Sequence, residues 1–400
     1  MIYICIIRIN PEKNFSLSSK RQKTNNSMKK KILLTLLICW LMLLNLPAQK
    51  AAEENKTEGS QYPLKEQVLA NDTTANALDT LAKVTTQSLF EKMKRDSIYQ
   101  MVLTADFDKL IETRFVTDTP KEQATLSLKN DSTEWQIPVK LALRGRYRRK
   151  ICDFPPIELD FPKEQLLEMG LHPKFDKLKL VTHCLDSPES NQTVLKEYWA
   201  YRMCNQLTPN SFKVHLVQIT YIDINNPSKK EERLAFIIEN NKELADRIGG
   251  KMVSKFGLSP EQLDTHSYYQ TLIFNFMIGN VDWNVLAQRN LKYIQKDSNL
   301  LVVPYDFDQS AIVHAPYAKP HPDTGQKKLE DRFCLGHFPD INTLKIYLQR
   351  FSDLKDAFSC FEQCPYLLEK HKLRMKNYLN SFYKPLDKNK YLRKTFLKSN

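Results

Sequence analysis

In "LLVVPYDFDQSAIVHAPYA", residues 300–318, an apolar run stops on two carboxylates, Asp306 and Asp308, with only Phe307 between them. A strand that buries such a run has few structural reasons to end on two like charges, which repel one another when desolvated. A bound cation is the functional reason. Upstream, "MIGNVDWNVLAQRNLKYIQ" closes another apolar run at Gly279 and then presents Asp282, Asn284, Gln288 and Asn290 in a polar loop. Kinase-type phosphoryl transfer needs one Asp to orient the attacking hydroxyl, and one Asn and one Asp to hold magnesium. Magnesium takes few protein oxygens and completes its shell with phosphate and water. On this reading the polar loop supplies candidates for the catalytic and amide groups, and Asp306 and Asp308 are candidate metal ligands. The plainer alternatives are that Asp282 caps a turn after Gly279 and that Asp306 and Asp308 flank a solvated loop.

Nucleotide binding has candidates further upstream. "LRGRYRR" offers Gly145 for a tight turn, and Arg144, Arg146, Arg148 and Arg149 as phosphate-binding cations or as a solvated basic face. Lys179 lies among apolar residues in "KLKLV", and Glu197 lies on the helical pattern that follows. A strand lysine paired with a helix glutamate is the kinase device for holding the α- and β-phosphates, and Lys177 competes for the lysine role. Glu239, in "FIIEN", ends a strand at the junction of the two halves of the chain, where it is either a hinge-side nucleotide contact or an ordinary strand-end charge. His183 and His314 are isolated and receive no role.

The elements that position these residues follow from periodicity. Apolar residues recur at helical spacing from Leu89 through Met93, Ile98 and Met101,. Two alternating strands then flank a turn at Asn130, Asp131 and Ser132. "PPIELDF" and "DKLKLVTHC" are short strands, "NQTVLKEYWAYRMCNQL" is a helix, and "KVHLVQITYID" and "RLAFIIEN" are strands joined by "NNPSKKEE" as a loop. A helix is expected from Ser259 or Pro260 to about Gly279, then the strands "LKYIQ" and "LLVVPYDFD" as a hairpin, and mainly helix beyond Tyr317. Strands dominate residues 96–248 and helices residues 249–400. That segregation predicts an α+β protein with a strand-rich N-lobe and a helix-rich C-lobe.

At this point the sequence resembles the spore-coat-protein-H (CotH) kinase-like family, in its exported bacterial form. The resemblance rests on "RGRYRRKICDFPPIELDF", "LKLVTHC", "LKEYWAYRM", "AFIIEN", "IGNVDWN", "RNLKYI" and "VVPYDFDQSAIVHAPYA", over roughly residues 140–320. It implies a two-lobed atypical protein-kinase-like fold and transfer from ATP with Mg2+ or Mn2+ to an unknown protein or cell-surface acceptor. It matches Asp282 to the catalytic-loop Asp, Asn290 to the metal-binding Asn and Asp306 to the acidic strand end. The interval from Asp282 to Asn290 is longer than in protein kinases, and no ordinary Gly-rich loop is present. The alternatives are a catalytically weak or inactive scaffold that binds a partner, and, further off, a DxD glycosyltransferase or a HAD-type hydrolase.

Composition narrows the setting. The chain has 400 residues and a net charge of +13. Residues 28–51 read as a signal peptide: Met28, three lysines, an apolar stretch and small residues around Ala48 and Ala51. An N-terminal membrane anchor is the alternative, although the apolar run is short for a span, and a lipoprotein reading through Cys39 is weaker because Ile38 stands where a small residue is expected. Residues 1–27 are then expected to be an extension upstream of the true start at Met28, and residues 52–95 a polar spacer and first helix. Residues 1–51 carry nine Lys or Arg against one Glu, a net of +8, which leaves about +5 for the rest and argues against a nucleic-acid partner,. The protein is expected to be exported, periplasmic or extracellular, without a stable membrane span. Six cysteines follow residue 51, none in CxxC spacing; zinc is not expected, and oxidising surroundings permit disulfides, whose pairing stays open.

Overall fold

The structure is a computed structural model that describes residues 87–93, 98–118, 120–129 and 134–397. The expected extension at 1–27, the signal peptide at 28–51, the spacer up to residue 86 and the turn at 130–132 lie outside the described residues.

In chain order the elements are α1 (Leu89–Lys92), β1 (Tyr99–Ala105), α2 (Phe107–Glu112), β2 (Glu122–Lys129), β3 (Glu134–Leu143), α3 (Arg148–Ile151), β4 (Ile157–Asp160), α4 (Lys163–Glu168), β5 (Lys177–Val181), α5 (Ser190–Leu207), β6 (Val214–Asp223), β7 (Asn226–Ile238), α6 (Asn241–Ile248), β8 (Lys251–Val253), α7 (Thr265–Ile278), β9 (Leu291–Lys296), β10 (Asn299–Pro304), α8 (Ile341–Asp353), α9 (Lys355–Phe358), α10 (Glu369–Tyr383) and α11 (Asn389–Phe396).

Strands β1 to β7 close into a barrel in the order β1-β2-β3-β4-β5-β7-β6. Closure is made by the parallel pair β1 and β6, with Leu103 opposite Tyr221, and the other neighbours are antiparallel. A separate sheet has the order β10-β9-β8. This corrects the expected two-lobed kinase-like fold: the strand-rich half is a closed mixed barrel, and the described residues belong to one compact unit. Alternation of apolar residues identifies strands but not their neighbours, so barrel closure leaves no mark in the local pattern.

Alternation does explain how the barrel meets the helices. On β7, Ala235 and Ile237 point into the barrel core with Leu103, Leu141, Ile157 and Ile219. Phe236 and Ile238 point the other way, into a second core shared by α5, α7 and the β8–β10 sheet. The polar first half of β7, expected as a loop, is paired to β6 but exposed on both faces. Tyr99–Ala105, expected to continue a helix, is a strand with alternating burial. Helix α7 begins only at Thr265, capped by the Asp264 side chain, after a single 3-10 turn at Pro260–Gln262. Among the described residues, no helix is long and apolar enough to cross a membrane.

Candidate functional site

Helix α7 ends at Gly279, whose φ of +66° lies in the left-handed region that favours glycine,. The buried Asn280 then donates to Asn275 Oδ1 at 2.9 Å and accepts the Asp282 backbone N–H at 3.1 Å. Asn290 donates its amide to the Asp282 carbonyl at 2.7 Å and to Asp282 Oδ2 at 3.0 Å. The Asn290 carbonyl accepts the N–H of Tyr305, the residue before Asp306. The β9–β10 hairpin, with Val303 opposite Lys292, thus brings Asp282, Asn290 and Asp306 to one place, as the spacing predicts. Asn290 and Asp306 both have positive φ, +51° and +64°. Non-glycine residues held there store strain, and such residues concentrate at functional sites.

The two carboxylates at the end of β10 face a cation of the chain itself. Arg148, on α3, donates from Nε to Asp308 Oδ2 at 2.8 Å and from Nη2 to Glu197 Oε2 at 2.8 Å, and reaches Asp306 Oδ1 at 3.4 Å. Arg148, Glu197 and Asp308 are buried. One guanidinium therefore serves three carboxylates. Burial, opposed by Arg148 but reinforced by Asp308 and Asp306, pushes the Glu197 carboxyl up to about 8. Partial desolvation, although the side chain is still 42% exposed, and then Asp308 raise Asp306 as well. Burial disfavours the Arg148 charge, but the surrounding acids, Asp308 first, hold its pKa well above the ordinary value. Glu197 Oε1 is buried with no hydrogen-bond partner among the described residues.

Arg148 is held in place by chain geometry. Gly145, at φ +82°, makes the turn that starts α3, and Cys152 at its end is joined by a disulfide to Cys184, just beyond β5. The rest of the expected arginine cluster disperses. Arg149 donates to the carbonyls of Arg114 and Thr113, Arg146 is exposed, and only Arg144 lies toward the cleft.

Lys179 does not pair with Glu197. Its ammonium reaches Asn241 Oδ1 and lies over the rings of Phe212 (5.0 Å) and Tyr305 (5.9 Å). Lys292 also lies over the Tyr305 ring, at 4.7 Å. Burial and then the Arg144 charge lower both lysines, Lys179 well below its ordinary value, while Asp306 acts in the opposite sense on both. Arg144, Lys179 and Lys292 thus crowd together beside Asp306, and none of the three has an ion-pair partner among the described residues. Glu239 lies apart from them, committed to Arg247 at 2.7 Å and to the Lys213 N–H at 3.0 Å.

No family model and no curated protein matches the chain.

The donor set tests the expected metal. Among the described residues, no group of three His, Cys, Asp or Glu could hold a metal ion. Asp308 is turned onto Arg148, which takes its Oδ2. Asn290 Oδ1 and Asp306 Oδ2 carry no hydrogen bond among the described residues, and Asp306 is the most open of the three acids around Arg148. Two hard oxygens fit a magnesium ion that takes most of its shell from phosphate and water, and do not fit one caged by protein alone.

Two contributors escaped the sequence reading: Arg148 as the partner of Glu197, and Lys292 as a member of the cation group. Lys292 was within reach, since it lies two residues beyond Asn290, at the start of β9. Arg148 had no such signal, being one of four arginines in six residues.

Proposed function

We propose that this cleft binds a nucleoside triphosphate with magnesium or manganese, and that the protein is a phosphotransferase acting on a hydroxyl of a protein or cell-surface acceptor. The observation that carries this reading is the group Arg144, Lys179 and Lys292. Three cations meet beside Asp306, Asn290 and Asp282, and none of the three makes an ion pair among the described residues, although Asp306 and, for Lys179, Glu158 act on them at longer range. Like charges depress one another's basicity, and a polyanion relieves that cost. The sequence resemblance to the CotH kinase-like family supports the same chemistry, as does the expected set of Asp and Asn.

In this reading Arg144, Lys179 and Lys292 hold the phosphates, while Tyr305 and Phe212 wall the cleft and keep water from the lysine stems. Asp306 and Asn290 would hold the metal, which when bound neutralises charge on the phosphates. Asp282, fixed by Asn290 and by Arg289 at 3.5 Å, orients the acceptor hydroxyl and accepts its hydrogen bond. A groove of about 550 Å³ beside Asp282, walled by Val281, Trp283, Leu258 and Arg289, gives an acceptor room to approach. Export through residues 28–51 belongs to the same proposal and places the acceptor outside the cytoplasm.

One observation favours a second reading, binding without turnover. Arg148 already neutralises part of the acidic cluster, and Arg289 sits on Asp282. Incubation of residues 52–400 with ATP and Mg2+ or Mn2+, followed by mass spectrometry for added phosphate or AMP, separates the two. Ligand at about a hundred times its dissociation constant should stabilise the fold by roughly 2–3 kcal/mol. Asp306→Asn should abolish that shift, and Asp282→Asn should keep it while losing transfer. Equal shifts in wild type and Asp306→Asn would remove the metal role, and no shift in either would remove the nucleotide.

A further inference from the structure

The net charge of about +5 that follows residue 51 is unevenly spread. Residues 341–400 hold thirteen Lys or Arg against five Asp or Glu, a net of +8, which leaves residues 52–340 at −3. Such asymmetry within one chain is a signature of contact with a nucleic acid or a membrane. The structure sorts these cations into two groups. Those on α10 are paired: Lys370 with Glu189, Lys372 with Glu369, Arg374 with Glu330 and Lys376 with Glu362. Those on α8 and α11 are not. Lys345, Arg350, Lys390, Arg393 and Lys394 are exposed and make no ion pair or side-chain hydrogen bond among the described residues.

Helical spacing puts all five on outer faces. In α8, Leu344, Leu348 and Phe351 are buried, so Lys345, Ile346, Gln349 and Arg350 look outward. In α11, Leu392 and Phe396 are buried, and Lys390, Arg393 and Lys394, at spacings of three and four, occupy the opposite face,. The two helices pack against each other and bury their apolar faces in the same core, so their outer faces adjoin. Helix α11 contains no acid, and the acid on the outer face of α8, Asp353, accepts from Gln349 at 2.8 Å. Among these cations Ile346 is 73% exposed.

We infer that the outer faces of α8 and α11 together dock on the anionic surface of a lipid bilayer. Clustered Lys and Arg are drawn to anionic headgroups, each strengthening binding by about fivefold. Their apolar stems and Ile346 can enter the headgroup boundary, which a soluble polyanion does not offer them. Ile346 is thus the feature that favours a bilayer over a nucleic acid. The surface uses no residue of the proposed phosphotransferase cleft, so either can fail alone.

The experiment acetylates the full chain with and without lipid vesicles and reads each lysine by peptide mass spectrometry. Vesicles of mixed phosphatidylcholine and phosphatidylglycerol should slow Lys345, Lys390 and Lys394 several-fold. Pure phosphatidylcholine should leave them unchanged, and it controls for tethering by the apolar stretch within residues 28–51. Lys229 and Lys230, exposed on β7, should react alike in both. Salt at about 1 M cuts the screening length to about 3 Å and should abolish the protection. Replacing Lys390, Arg393 and Lys394 together with Gln alters only exposed side chains; it should raise the anionic lipid needed by about a hundredfold and release Lys345. Ile346→Asn should weaken protection by vesicles. Unprotected lysines on the phosphatidylglycerol vesicles, equal protection by pure phosphatidylcholine, or equal slowing of Lys229 and Lys230 would each overturn the proposal. So would single-stranded DNA that protects as well as the vesicles do, and none of these outcomes depends on a variant.

Discussion

Replacing Arg148 with methionine should destabilise the protein by an amount that depends steeply on pH. The side chain of Arg148 is 8% exposed, and those of its partners Glu197 and Asp308 are 2% and 6% exposed. Breaking a buried pair by removing one partner costs about 3–5 kcal/mol, because the remaining charge is left uncompensated. Methionine keeps much of the apolar stem, so most of the loss is electrostatic. In the wild type, Glu197 holds a proton up to about 8 in the folded state, against an ordinary 4.5. A folded-state pKa raised in this way contributes stability below 4.5 that is lost as pH rises through about 8,.

The variant goes further in the same direction. Without the guanidinium, which lowers Glu197 and Asp306, both carboxyls rise further, and the folded variant holds a proton that the wild type has released. One extra proton bound by the folded variant tilts its stability by about 1.4 kcal/mol per pH unit relative to wild type. Between about pH 8 and about pH 9 the Glu197 part widens the deficit by up to roughly 1.4 kcal/mol,. Urea unfolding of both proteins at the two pH values measures it directly, and taking the difference cancels carboxylates elsewhere in the chain. A deficit that stays constant with pH, or that stays below about 1 kcal/mol at the alkaline end, would refute Arg148 as the compensating charge.

Other outcomes follow from the same structure. Gly279→Ala should cost several kcal/mol in thermal or urea unfolding, about 1 from the backbone and the rest from a Cβ that would stand 2.0 Å from Tyr378 Oη and 2.7 Å from Ala311 Cβ; a loss of 1 kcal/mol or so would mean that α10 yields easily. Reduction of Cys152–Cys184, which spans 32 residues, should lower stability by about 3–4 kcal/mol on loop-closure grounds, and a titration of the reduced protein should show weaker pH dependence of the Arg148 cluster if the bridge positions α3. Lys179→Met should weaken nucleotide binding while leaving the unliganded fold as stable or more so, because it removes a buried charge depressed by its neighbours,; calorimetry with ATP and Mg2+ checks the first and unfolding the second.

The legible part of the site is the local part. Asp282, Asn290 and Asp306 lie within one loop and one hairpin, where spacing and alternation fix neighbours across short intervals,. The illegible part is joined over distance. Lys179 was matched to Glu197 because both types occur in the expected order, yet Asn241 on α6 is closer to the lysine and Arg148 reaches the glutamate first. The polar half of β7 reads as a loop because both its faces meet water, and only its pairing with β6 makes it a strand. The barrel depends on β1 meeting β6 in parallel, with Gln100 opposite Gln218. Local periodicity carries no information on a contact so remote in sequence.

The pair of like charges at the end of β10 shows the same limit. Asp306 and Asp308 are separated only by Phe307 in the sequence and look uncompensated there, which makes an external cation the natural inference. Their compensating group is Arg148, 158 and 160 residues upstream, brought to them by the turn at Gly145 and the bridge at Cys152. The consequence is a division of labour between the two carboxylates. Asp308, turned onto the guanidinium at 2.8 Å, belongs to the structural cluster with Glu197. Asp306 reaches Arg148 only at 3.4 Å and is 42% exposed, so it keeps an oxygen for a ligand. Asp308→Asn and Asp306→Asn should therefore separate. The first should shift unfolding and its pH dependence while leaving metal-dependent nucleotide binding measurable. The second should leave the unfolding midpoint nearly unchanged and remove the metal dependence. Reversal of that pattern would place the metal on Asp308 and the structural charge on Asp306.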